Sequence, residues 1–171
     1  MENKDEFLPQ DYKVPVSGGG YMKLKMGDNL VRIMSNPIFG YEYWTNETKP
    51  VRSEVEFTET PNIKLDKDGN PTKVKHFWAF IVWNYETKNI EILQINQSTI
   101  QSAITNLVKD EDWGNPKNYD LKITRTGEGF DTEYAVNPKP AKAVTEEVAQ
   151  KYADSKIKLE ALFDGGNPFE K

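Results

Sequence analysis

Flat rings and long cations are the residues of this chain whose types and spacing could do chemistry. Tyr41, Tyr43 and Trp44 fall in one short segment, with Phe39 sharing the face of Tyr41 and Tyr43. His76, Phe77, Trp78, Phe80, Trp83 and Tyr85 crowd into Lys75–Tyr85. Around them stand Arg32, Arg52, Lys73, Lys75, Lys122 and Arg125. Rings of this kind stack on flat polarizable partners such as unpaired bases, at about 1–3 kcal/mol each, while guanidinium and ammonium groups pair with anions. The chemistry is non-covalent. Large rings in strands also fill cores, so every ring of 77–85 has packing as its alternative role.

Covalent and metal chemistry are poorly served. With 0 Cys and 1 His there is no disulfide, thiol nucleophile or cysteine zinc site, and a triad would have to centre on His76 in mid-strand. Only carboxylates remain as metal ligands. In Asp66-Lys67-Asp68-Gly69-Asn70 the glycine comes too early for a calcium loop and no glutamate follows at the needed distance, so it reads as a turn. Gly18-Gly19-Gly20 lacks the following helix and Lys-Ser/Thr pair of a phosphate loop. The expectation is a protein without catalysis, cofactor or metal.

The net charge of -5 argues weakly against a polyanionic partner, because charge acts within a Debye length of about 8–10 Å. Residues 51–90 balance six basic against six acidic groups, while 91–140 hold five against eight, so the ring-rich strand lies in a less acidic part. No apolar run approaches membrane-spanning length. The acidic start Met1-Glu2-Asn3-Lys4-Asp5-Glu6 is unlike a secretory signal, which predicts a cytoplasmic location.

Alternation places the rings on strands. Residues 1–27, with Pro9, Pro15 and the glycine run, read as an irregular arm. Leu30–Ser35 alternates, with Val31 and Ile33 inward and Arg32 outward; Phe39–Trp44, Val51–Thr58 and a long hairpin over 74–95 follow. Residues 97–109 change to helical period, and 119–137 form a second hairpin around Gly127-Glu128-Gly129, with Leu121 and Ile123 inward and Lys122 outward. After Pro138 and Pro140, Thr145 caps one last helix striped by Val148, Tyr152, Leu159, Leu162 and Phe163. That stripe docks on the sheet or on a second copy. The order predicts a mainly β fold: a five-stranded oligonucleotide-binding (OB) barrel over 28–137 with a helix between strands 3 and 4, followed by a linker, C-terminal helix and tail over 138–171.

The segment from Lys23 through Gly27-Asp28, Arg32 and Gly40-Tyr41-Glu42-Tyr43-Trp44 resembles the opening of single-stranded DNA-binding proteins of tailed bacteriophages. Phe77–Tyr85, Trp113-Gly114-Asn115-Pro116 and Tyr119–Gly127 fall where that family has similar elements, so the likeness spans about residues 22–137. It implies binding of single-stranded DNA in phage or prophage replication and recombination. The chemistry of that role suits Tyr41, Tyr43, Trp44, Trp78, Phe80 and Trp83 for stacking and Arg32, Arg52, Lys73, Lys75, Lys122 and Arg125 for the phosphates. Pro168-Phe169 resembles the tip by which such proteins recruit replication and repair partners, although Glu170 and Lys171 follow it here. The zinc subdomain and basic N-terminal arm of the best-known phage member have no counterpart. The competing expectation is a β-rich protein- or glycan-binding module of a phage particle. Trp78 and Trp83 have opposite parity, which leaves open which face of their strand meets a ligand.

Overall fold

The computed structural model of the protein describes residues 20–169. Seven strands and three α-helices among them follow in the order β1 (Gly27–Ile33), β2 (Ile38–Trp44), β3 (Pro50–Ser53), β4 (Lys75–Asn84), β5 (Asn89–Ile95), α1 (Ser98–Lys109), β6 (Asp120–Thr126), β7 (Glu133–Pro138), α2 (Glu146–Ser155) and α3 (Ala161–Asp164). All strand pairs are antiparallel. The strands Leu30–Ser35, Phe39–Trp44 and 74–95, and the helix over 97–109, lie close to where alternation and period predict them. The first expected arm, 1–27, lies largely outside the described residues.

The ring-rich β4 organises the sheet. One edge pairs with β2 along Lys75–Ala79 and with β1 along Val82–Asn84, so β1 and β2 lie end to end on it. The break between them is pinned by the Ser35 hydroxyl, which accepts from the Ile81 N–H at 2.9 Å, and by the Met34 N–H, which donates to the Ile81 carbonyl at 2.8 Å. The other edge of β4 carries β5 from Trp78 to Asn84. β6 joins the far edge of β1, and β7 lies outside β6.

The expected closed five-stranded barrel is corrected to an open seven-stranded sheet. Among the described residues β5 and β7 do not pair. Between those edges runs the segment Gly20–Leu24, which bridges to Ile92 in parallel and sends Met22 inside, while α1 packs on β7 and inserts Ile100 and Ile104. A side-chain plug therefore does what strand pairing would do in a closed barrel.

Two apolar clusters hold the fold, one on each face of β4. The interior unites Val31, Ile33, Phe80, Val82, Leu93, Ile95, Leu121 and Ile123 with α1. The opposite face, Phe77, Ala79, Ile81 and Ile92, is covered by Leu159 and Leu162 from the C-terminal segment. Both faces of β4 therefore pack against apolar clusters, with Trp78 left half-buried at the edge of the interior one.

That covering segment departs from the single helix its stripe predicts. Thr145 does cap α2, its hydroxyl accepting from the Val148 N–H at 3.3 Å. The helix then stops at Lys156, which adopts a left-handed conformation with φ of 49°. The turn redirects the chain so that Leu159, Leu162 and Phe163 descend on the sheet. Gly40 makes this contact close, since a Cβ there would lie 2.6 Å from the Ser53 carbonyl oxygen and 2.8 Å from the Phe163 ring.

Candidate nucleic-acid interface

Trp44 ends β2 with its side chain 41% exposed, on the outer face of the sheet beside Glu42. The chain after it does not wander. The Trp44 carbonyl accepts from the Lys64 N–H at 2.7 Å, and the Lys64 carbonyl accepts from both the N–H and the hydroxyl of Thr72, at 2.9 and 2.8 Å. Between them Asp66–Asn70 forms the turn its sequence predicts, the Asp66 carboxylate accepting the N–H groups of Asp68 and Asn70, each at 2.9 Å. The long polar loop thereby becomes a small flap that returns Lys64, Thr72 and Lys73 to Trp44.

The result is a cleft of about 430 Å³ lined by Trp44, Thr72 and Asn96 with Lys64, Lys73 and Lys75. All three lysines are exposed, and none enters an ion pair among the described residues. The cleft's one carboxylate, Glu42, is neutralised from below: Arg52 Nε donates to it at 2.8 Å and Gln94 Nε2 at 2.8 Å. An exposed indole flanked by three uncompensated ammonium groups can stack a flat ring and pair with the anions on either side of it.

The remaining residues expected at a ligand surface are differently placed. Arg32 does leave the interior, as alternation predicts, but it is 1% exposed because residues 139–148 cross that face of the sheet. Its Nε donates to Asp120 at 2.8 Å and its Nη2 to the Lys142 carbonyl at 2.8 Å, while Lys142 Nζ and the Tyr85 hydroxyl complete the shell around Asp120 at 3.1 and 2.8 Å. Burial and the Asp120 hydrogen bond and charge push the Tyr85 phenol up to about 12. Trp83 is covered by the same strap, with Lys151 Nζ above its ring at 5.2 Å. Phe80 is buried in the interior, and Tyr43 is buried against Phe57 with its hydroxyl donating to the Pro61 carbonyl at 3.2 Å. Arg32, Tyr43, Phe80 and Trp83, expected on an open ligand surface, are thus buried.

Tyr41 and Trp78 are half-buried on the opposite face from Trp44, each facing a cross-strand ring: Tyr41 meets His76 at 5.2 Å and Trp78 meets Phe39 at 5.7 Å between centroids. Lys122 lies on β6 and Arg125 is tied by Nη1 to the Leu24 carbonyl at 3.2 Å, so neither joins the Trp44 cleft. Pro168 is buried and Phe169 packs edge-on against Tyr21 at 5.3 Å, filling the space a Cβ on Gly20 would need. Lys64 and Asn96 escaped sequence reasoning. The signal for Lys64 was the turn at 66–70, whose two arms return to the same place; Asn96, just after β5, had none.

Over 139 aligned residues the chain is 30% identical to a probable ssDNA-binding protein of Escherichia phage T5, an alignment that covers 68% of this chain and 53% of that protein. The chain thus spans about half the length of the curated relative it matches. No family model matches the chain, and no solved structure matches it. Among the described residues no helix is long and apolar enough to cross a membrane, and no group of three or more metal-ligating side chains comes together.

Proposed function

We propose that this protein binds single-stranded DNA without strong sequence preference and without catalysis, in phage or prophage replication or recombination, on an open sheet of OB type. The observation that carries the reading is Trp44 standing exposed among Lys64, Lys73 and Lys75 in one cleft. The similarity to the phage T5 protein supports it independently. A base lies on the indole, its neighbouring phosphates reach the lysines, and Asn96 and Thr72 offer hydrogen bonds that do not depend on one base identity. Arg52 acts beneath this cleft by neutralising Glu42. Recruitment of replication proteins through Pro168 and Phe169 belongs to the same reading and requires both residues to leave the sheet.

The test is titration of the protein with oligo-dT, followed by tryptophan fluorescence at several salt concentrations. Binding quenches emission, weakens steeply as salt rises through counterion release, and loses most of its quench in Trp44→Ala. Unchanged emission and no mobility shift at micromolar protein would sink the reading.

A further inference from the structure

Phe130, at the tip of the β6–β7 hairpin, is fully exposed. Its turn is braced to display it. Gly127 and Gly129 take φ of 76° and 57°, a Cβ on Gly127 would collide with the Asp131 carbonyl oxygen, and the Asp131 N–H donates to the Glu128 carbonyl at 3.0 Å. The ring stands in acidic company, since Glu128, Asp131 and Glu133 are all exposed.

At the other end of β6 lies a groove of about 500 Å³ with opposite character. Phe39, Trp78, Ile104, Val108 and Pro116 make it apolar; Phe39 is 51% and Val108 50% exposed. The charged residues lining it are Lys109 and Lys117, and the acidic residues 110–112 are not part of its wall. The Ile33 end of β1 borders the groove, whereas the Gly27 end pairs with Arg125 next to the Phe130 turn. Ring and groove are therefore separated by the length of the seven-residue strand, about 20 Å at ~3.4 Å per residue. One molecule cannot bring its own ring to its own groove.

We propose that Phe130 of one copy seats in the Phe39–Trp78–Val108 groove of the next, with Glu128 and Asp131 opposite Lys109 and Lys117. The contact joins two different patches at opposite ends of β1 and β6, so it is head-to-tail and extends to further copies, as a ring or a filament according to its rotation. A phenyl side chain buries only about 150–250 Å², well below the roughly 1,000 Å² of a stable complex, so the contact is weak between free molecules and gains from alignment on a common scaffold. It goes beyond the DNA reading and does not depend on it.

Complementary variants test it by NMR. Isotope-labelled Phe130→Ser keeps the groove and loses the ring; unlabelled Val108→Glu keeps the ring and spoils the groove. Amide resonances of Asn36, Ile38, Phe39 and residues 104–109 in the labelled chain should shift on addition of Val108→Glu, less so at high salt, and should stay still on addition of the double variant Val108→Glu/Phe130→Ser. If Val108→Glu does not fold, Lys109→Glu/Lys117→Glu takes its place. Groove resonances that remain unmoved by the ring-bearing partner overturn the proposal. So does a groove that responds to oligo-dT and not to that partner, because a nucleobase is then its occupant.

Discussion

Trp44 and Arg32 show how far neighbouring chemistry decides what a residue can do. Both point away from the interior, yet Trp44 meets solvent and three lysines while Arg32 meets Asp120 and two backbone carbonyls. Trp44→Ala should therefore leave thermal stability nearly unchanged and weaken oligo-dT binding about 5- to 150-fold, the loss of one base stack, measured by fluorescence or anisotropy titration. Arg32→Ala should do the reverse through stability: it removes the buried partner of Asp120, leaving Lys142 and Tyr85, and the expected cost in chemical denaturation is about 3 kcal/mol. Arg32→Lys should rescue little of it, since an ammonium cannot reach the three acceptors that the guanidinium fork spans. Tyr85 adds a pH signature. Below the ordinary phenol value of 10.0 both folded and unfolded chains hold its proton; from there to about 12 the unfolded chain gives it up first, so stability falls as pH rises through that window. In Tyr85→Phe the alkaline fall should be shallower, as read by denaturation midpoints from neutral pH upward.

At the scale of elements the C-terminal segment is a strap on the sheet rather than a free appendage. Leu162 is 3% exposed under that strap, and Leu162→Ala should cost about 2–5 kcal/mol of stability in urea or thermal unfolding. Gly40→Ala should also destabilise, by about 1–3 kcal/mol, because the added methyl has the Ser53 backbone and the Phe163 ring in its way. Most strands were legible from period-2 patterning, and α1 from its Ile100–Ile104 spacing, because those signals are local to each element; the strand expected over Val51–Thr58 stops at Ser53. The break at Lys156 was not legible. A stripe continuing through Leu159 and Leu162 reads as one helix until the sheet claims those residues at a different angle.

For the whole molecule, the decisive electrostatics are local despite the net charge of -5. Replacing Lys64, Lys73 and Lys75 together by Gln should flatten the dependence of log affinity on log salt by about 0.7 for each phosphate that is no longer neutralised, measured on oligo-dT over a salt series. The same substitutions should leave the folding midpoint close to that of the unsubstituted protein, since all three side chains are exposed and outside ion pairs. Distance along the chain explains why this site was only partly readable. Trp44, Lys73 and Lys75 stood out as types, but Lys64 joins them only through the fold-back from Asp66 to Asn70 and the hydrogen bond to Trp44.

By itself the sequence determined most of which segments are extended, where the helix interrupts them, and that Arg32 lies outside the interior. Each follows from spacing within one segment. Tertiary structure alone decided what covers each face. The strap over Arg32, Trp83 and Phe77, the plug that stands in for closure between β5 and β7, and the gathering of three lysines at Trp44 all join residues tens of positions apart, and no local period encodes which of two outward rings will find itself beneath another part of the chain.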